Sequence, residues 1–205
     1  MTHRRKRHPL DQAKAIDVAR RLIERDCRST VVCQITGLPR VIVAEIHETV
    51  KGHKPRPGKL TERARNVLTR KHLIGAASIF ATGYLSEIGD LKLRKPYDLL
   101  ETHQTDPYLF LDVYDETNRI CALDCTTAWL TLRDIRVREI ELRYCRSCQA
   151  YHLQWLDTTV TSLQSCIWCA YAPSAREERT INGIRTGIRA NYLAKLDTSA
   201  QPANI

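Results

Sequence analysis

No stretch of the sequence is apolar over the length that a membrane-spanning helix requires. The longest apolar-looking segment, LIGAASIFATGYL (Leu73 to Leu85), has 13 residues, whereas a spanning helix needs about 20. The basic N-terminus MTHRRKRHPL is followed by DQAKAIDVARR, where a signal peptide would have an apolar run. We therefore expect a cytoplasmic protein with no membrane partner, in a compartment that keeps thiols reduced.

Internal repeats, low-complexity tracts and catalytic motifs are also missing. The acidic residues in the middle of the chain show no carboxylate–histidine spacing that would position a catalytic metal ion. The 205 residues are 43% hydrophobic and 27% charged, which is typical of a globular protein that buries a core. We therefore expect neither an enzyme nor a protein with a small-molecule substrate.

Acidic residues are scarce in one part of the chain. Between Lys51 and His72 there are eight Lys or Arg residues and one acid, Glu62. From Ser86 to Asp124 the sign reverses, with nine acids against four bases. With the net charge of +9, this asymmetry favours a polyanionic partner such as double-stranded DNA. The alternative is an ordinary solvated surface of mixed charge.

Cysteines are concentrated in the segment YCRSC…SCIWC. Its two Cys-x-x-Cys pairs are separated by 17 residues, a spacing typical of zinc modules. We predict one structural Zn²⁺ with four ligands: Cys145, Cys148, Cys166 and Cys169. Tyr151, Leu153 and Trp155 alternate as in a strand, and VTSL (160–163) is the expected partner strand of a hairpin that brings the two pairs together.

Other interpretations of these cysteines remain. An iron–sulfur cluster also binds four thiolates, while redox catalysis usually requires one Cys-x-x-Cys pair in a thioredoxin-like context, which is missing. His152 could replace a thiolate, although a lone strand histidine is more often a surface residue. We interpret the remaining cysteines as core residues, with the last two sharing a helix face: Cys27, Cys33, Cys121 and Cys125.

The N-terminal part of the chain predicts three helices. Apolar residues from Ala15 to Leu22 recur every three or four positions, STVVCQIT follows, and a third helix begins at Pro39 and ends at Gly52. With Gly37 in the turn, the last two helices fit a helix-turn-helix, although Thr36 is polar where an apolar residue would pack better. An ordinary helical hairpin is the alternative.

A helix-turn-helix would place the third helix in the major groove, with Arg40 near base edges or phosphate. Basic residues of the following loop would clamp the backbone, and the metal module would order a basic C-terminal surface. The predicted DNA contacts are Arg40, Lys51, Lys54, Arg56, Lys59, Arg176, Arg179, Arg185 and Arg189.

The predicted fold is mainly α-helical, with a helix-turn-helix-like N-terminal segment and a small zinc-ribbon-like module. A long helix is expected over CALDCTTAWLTLRDIRVREIEL (121–142), with a buried stripe from Ala122 through Trp129 to Ile135. The predicted boundaries are a basic arm (1–10), the helix-turn-helix-like segment and basic loop (11–58), a central helical body (59–143), the four-cysteine module (144–172) and a basic tail (173–205).

Three stretches together carry a family resemblance: GLPRVIVAEIHETVKGHKPRPGKL, TTAWLTLRDIRVREIELRYCRSC and YCRSC…SCIWCAYAP. In these the chain resembles FlhC, the flagellar transcriptional activator subunit, over most of its length, whereas residues 75–120 match only in helical character. The resemblance implies zinc binding by the four cysteines named above, a hetero-oligomer with an FlhD-like subunit, promoter binding and recruitment of RNA polymerase. A zinc-ribbon adaptor between proteins, without DNA binding, is the alternative function.

Overall fold

The computed structural model of the protein describes residues 9–58, 63–89, 105–156 and 166–170. Within these ranges most residues are helical, which confirms the predicted mainly α-helical class. The helices are α1 (Pro9–Glu24), α2 (Ser29–Thr36), α3 (Arg40–Lys51), a 3₁₀ turn (Ala64–Asn66), α4 (Lys71–Glu87), α5 (Pro107–Ile120), α6 (Cys125–Arg136) and α7 (Ile167–Ala170). The strands are β1 (Ile140–Tyr144) and β2 (Tyr151–Trp155).

The first three helices form a three-helix unit in which α1 contacts both α2 and α3. Val18 and Leu22 of α1, Val32 of α2 and Val43 of α3 are all buried, as the apolar spacing predicts. The predicted end of α3 is also confirmed, because Gly52 follows it with a φ of 74°. Glycine occupies this left-handed conformation without steric cost.

The turn between α2 and α3 explains the polar residue at its edge. Gly37 has a φ of 63°, and its N–H donates to the Cys33 carbonyl. Thr36 Oγ1 donates to the Val32 carbonyl (2.6 Å) and accepts from the Leu38 N–H (3.3 Å). The buried threonine is therefore satisfied within the turn, where an apolar side chain would leave the Leu38 N–H unpaired. Pro39 is the residue before α3 instead of its first residue.

The central helices pack around two aromatic rings. Phe80 of α4 and Phe110 of α5 are fully buried, and their rings meet edge to face with centroids 5.5 Å apart. Asp106 caps α5 by accepting from the Tyr108 N–H (2.8 Å), and Pro107 begins that helix. Proline suits the first helical position because its missing N–H would have no partner in the helix.

The prediction of one helix over residues 121–142 is wrong at both ends. α6 begins only at Cys125, after its capping residue Asp124, and Ala122 is exposed. Cys121 follows α5 whereas Cys125 begins α6, so these two cysteines do not share a helix face. At the other end, Arg138 adopts a φ of 58° that stops the helix, and the chain continues as a strand.

Strand β1 supplies the partner of the predicted strand β2. The two pair antiparallel, with Ile140 opposite Trp155 and Tyr144 opposite Tyr151. The strand at Tyr151 is confirmed, but its observed partner lies before it in sequence, and residues 160–163 lie outside the described residues. Ile140 and Leu153 are buried, and both strands contact α4, so the hairpin rests on the helical body.

No helix in the described ranges is both long enough and apolar enough to cross a membrane. The predicted domain boundaries stay predictions, as do the assignments to the N-terminal arm and the C-terminal tail, which lie outside the described residues.

An ion pair ties the end of α1 to α5. Arg25 Nε and Nη2 donate to the two carboxylate oxygens of Asp115 at 2.6 and 2.5 Å. The hydrogen bonds from Arg25 hold the pKa of Asp115 below its ordinary value. The folded protein therefore binds fewer protons at this site than the unfolded chain. The stabilisation is complete above the ordinary pKa of about 3.9 and is lost as the pH falls through the lowered value.

We expect Asp115→Asn to lower the free energy of unfolding at pH 7 by about 1 kcal/mol, because the pair is charge-assisted but partly solvent-exposed. Urea denaturation at pH 7, 5 and 3 measures this effect. Asp112→Asn is the control, since this carboxylate is 70% exposed and 3.7 Å from Arg21. The difference between wild type and Asp115→Asn should shrink toward pH 3. A difference that is constant with pH contradicts this account.

Candidate metal centre and candidate nucleic-acid interface

The two cysteine pairs are positioned by different local structures. Cys145 and Cys148 lie in the turn that joins β1 to β2. There the Cys145 N–H donates to the Ala150 carbonyl (2.9 Å) and the Gln149 N–H to the Cys145 carbonyl (2.8 Å). Cys166 directly precedes α7, and Cys169 lies within it. A tight hairpin turn and a helix start thus each present two sulfurs.

The four sulfurs form one cluster with the dimensions of a mononuclear site. All four Sγ atoms lie within 4.8 Å of one another, with Cys145–Cys169 at 3.7 Å and Cys148–Cys166 at 3.5 Å. Zinc–sulfur bonds of about 2.3 Å in a tetrahedron place sulfurs about 3.8 Å apart. A disulfide would require about 2.05 Å. The cluster therefore fits a single four-coordinate metal ion.

An iron–sulfur cluster fits these distances less well than one ion does. Such clusters distribute the four thiolates over two or more iron atoms, which moves ligands on different irons apart. The compact cluster of four sulfurs instead matches the closed coordination shell of a structural zinc site. A metal ion held by all four sulfurs would have no open position for a bound water.

The pKa values of two of these thiols are shifted in opposite directions. The backbone N–H of Cys148 donates to the Cys145 thiolate and is the largest cause of lowering the pKa of Cys145 to about 6. Burial raises the pKa of Cys166 to about 12. Four thiolates this close repel one another strongly, so a cation is needed for all four to be deprotonated.

The cysteine cluster is fixed to the helical body by α7 and β2. The Trp168 indole Nε1 donates to the Tyr151 carbonyl (2.8 Å), and its ring covers Gly75 of α4, where an added Cβ would lie 3.1 Å from a ring carbon. The Leu153 N–H donates to Ser78 Oγ at 3.0 Å. The sequence patterns did not predict this contact between the Trp168 ring and Gly75. The one available signal was Gly75 itself, a glycine inside an apolar helical stretch.

The other sulfur and imidazole groups lie outside this cluster. Within the described ranges, these four cysteines are the only group of three or more His, Cys, Asp or Glu residues placed to hold a metal ion. His152 is not part of it. The expectation that His152 is a surface residue is also wrong, since it is 5% exposed. Its Nδ1 has no hydrogen-bond partner among the described residues, and burial lowers its pKa.

The predicted DNA contacts that fall on described residues surround α3. Arg40 is exposed at the start of this helix, and Lys54 and Arg56 are exposed on the loop that follows it. Lys51 differs from them, because its Nζ lies 2.8 Å from Asp26 Oδ1 and donates to the Glu24 carbonyl (3.2 Å). This lysine therefore ties the end of α3 to the end of α1.

Two histidines brace the basic loop. His47 Nδ1 lies 2.9 Å from the His53 carbonyl and His53 Nδ1 lies 2.9 Å from the Lys54 carbonyl. Because both partners are carbonyl oxygens, each Nδ1 must be the donor. These bonds hold the loop against the C-terminal end of α3. The other predicted contacts lie outside the described residues: Lys59, Arg176, Arg179, Arg185 and Arg189.

Comparison with known proteins gives one family. A family model described as "Flagellar transcriptional activator (FlhC)" matches residues 5–182, which is most of the chain and includes α1–α3, the helical body and all four clustered cysteines. No curated protein matches the sequence.

Proposed function

The chain belongs to the FlhC family of flagellar transcriptional activators, and from this premise we propose that it is the DNA-binding subunit of an activator complex in the cytoplasm. It acts there with an FlhD-like helical subunit, occupies promoter DNA and recruits RNA polymerase. The arrangement of α1–α3 is the observation that best supports direct DNA binding. Two short helices joined by a glycine turn are braced by a third, and the N-terminal end of α3 is exposed.

Charge around α3 supports the same proposal. Arg40 lies at one end of α3, and Lys54 and Arg56 lie beyond its other end, so a duplex along the helix meets positive charge at both ends. The bonds made by the two histidines pre-order the loop, which reduces the entropy lost when it contacts a phosphate. Lys51 and the basic residues outside the described ranges remain part of the proposed interface.

We also propose that the metal is zinc and that its role is structural. Cys145, Cys148, Cys166 and Cys169 would hold it, and the ion would supply the charge and bonds that keep the two cysteine pairs together. The module would thereby fix β1, β2 and α7 on the helical body and order the start of the basic C-terminal tail.

A footprint on a flagellar operon promoter tests the function. Zinc-loaded protein is used alone and with co-expressed FlhD-like subunit from the same cell. We expect protection that requires the partner. If folded, zinc-loaded protein gives no protection under either condition, direct DNA binding is refuted and the protein-adaptor alternative is favoured.

Salt dependence tests the assigned phosphate contacts. We expect Arg40→Ala combined with Lys54→Ala to lower the slope of log affinity against log salt by about 2, because each neutralised phosphate contributes about 0.9. Fluorescence anisotropy at five salt concentrations measures the slope. The matched control is Arg20→Ala with Arg143→Ala. It also removes two positive charges, but Arg20 pairs with Asp17 and Glu24, and Arg143 pairs with Glu141. An unchanged slope in the first variant rules out its two residues as phosphate contacts.

A further inference from the structure

Val41 is exposed on α3 without a structural reason within the described residues. It is 69% exposed, the largest value among the exposed large hydrophobic side chains of the described ranges. The apolar contact of this turn with the core is made instead by Val43, which is fully buried. Exposing an isopropyl group to water gains nothing for folding, so Val41 is available for a contact with a partner.

The position of Val41 fits the base-reading part of a helix-turn-helix. It is the second residue of α3, directly after Arg40, and base edges are contacted by the N-terminal residues of the second helix in such motifs. Glu45 lies four positions later and is exposed, so it shares the helix face of Val41. This face therefore presents an isopropyl group followed by a carboxylate, and Arg40 lies at the N-terminal end of the same helix.

The carboxylates on this face restrict which part of a duplex it can meet. Glu45 and Glu48 are both exposed, and their charges would repel a phosphate backbone. The basic groups lie toward the ends of the helix instead, at Arg40 and on the loop with Lys54 and Arg56. The middle of the face can meet base edges, where a carboxylate accepts from the cytosine amino group.

We propose that Val41 is a specificity-determining residue that contacts the C5-methyl group of one thymine in the major groove. This proposal rests on the proposed DNA-binding function of α2 and α3. Thymine is the base whose major-groove edge carries a methyl group, and apolar side chains recognise it. Val41 would thus discriminate thymine from cytosine at one position of the site.

Uracil substitution tests the contact with a change of one methyl group. Each thymine of the footprinted site is replaced singly by deoxyuridine, and affinity is measured for wild type and Val41→Ala in the presence of the partner subunit. We expect one position at which uracil weakens wild-type binding about fourfold, as for the loss of one buried methyl group. Val41→Ala should weaken binding to the thymine duplex by a similar factor and be insensitive to uracil there.

Leu10→Ala is the matched control, since Leu10 is 66% exposed but lies at the start of α1, and it should keep the wild-type response to uracil. Thermal unfolding checks that all variants are folded. If the duplex is bound but every uracil substitution weakens binding of Val41→Ala as much as it weakens binding of wild type, the contact is refuted while the proposed function stands. If folded, metal-loaded protein with its partner binds no promoter duplex, both the contact and the DNA-binding function are refuted.

Discussion

Cys145→Ser is expected to abolish stoichiometric metal binding and to destabilise the protein by at least about 3 kcal/mol, because a structural zinc site couples metal binding to folding. Serine is a poor zinc ligand, so three thiolates would remain close together without the fourth. Cys145 also lies in the turn between β1 and β2, so loss of the ion would remove one of the links between this hairpin and α7 and leave the hydrogen bond from Trp168 to the Tyr151 carbonyl. Promoter binding should fall with it if the module orders the basic tail.

Three measurements check this result: metal content of the purified protein, urea denaturation and the promoter footprint. Cys166→Ser should behave in the same way, because it removes a sulfur from the other pair. Cys33→Ser is the matched control, since this half-buried cysteine lies in α2, outside the cluster. One equivalent of metal retained in Cys145→Ser, with unchanged unfolding and DNA binding, would refute the role of the site.

Gly75→Val is expected to lower the free energy of unfolding by about 3 kcal/mol, at the upper end of the cost of overpacking a core. In an exposed helix, replacing glycine by alanine stabilises by about 1 kcal/mol. Here even a Cβ atom would lie 3.1 and 3.3 Å from two atoms of the Trp168 ring. The ring cannot easily move, because its Nε1 is bonded to the Tyr151 carbonyl and its helix carries Cys169.

The same substitution should weaken metal retention, since it pushes α7 away from the helical body. Transfer of the metal to a competing chelator measures this, together with urea denaturation. Gly83→Ala is the control in the same helix, where an added Cβ meets only a methyl group of Val113 at 3.1 Å, so metal retention should be unchanged. Gly75→Val should also lower the free energy of unfolding by less when Trp168 is replaced by leucine than when the tryptophan is present. Equal costs in both backgrounds would show that the ring does not limit the space at Gly75.

The three N-terminal helices could be predicted from the sequence because the signals that specify them are local. The apolar spacing of α1, the C-terminal ends of α2 and α3 and the glycine turn between these two helices were all predicted. These features depend on short-range requirements: one face of a helix must be apolar, and a chain that leaves a helix in the left-handed conformation favours glycine at Gly37 and Gly52. The cysteine cluster was predicted for the same reason, since each Cys-x-x-Cys turn is itself a local unit.

Tertiary structure decided the features that depend on distant partners. The residues from Ile140 to Tyr144 fit either a helix or a strand by pattern, and they form a strand because Tyr151–Trp155 supplies the backbone hydrogen bonds and α4 covers the apolar side. Three other features likewise depend on elements that meet only in the folded chain: the burial of His152, the pairing of Lys51 with Asp26 and the packing of the Trp168 ring on Gly75. The sequence by itself thus determined the three N-terminal helices, the glycines that end two of them and which cysteines come together, because these signals lie in neighbouring residues. The folded chain decided which strand pairs, which charges are neutralised and where the metal module rests, because these follow from contacts between distant ones.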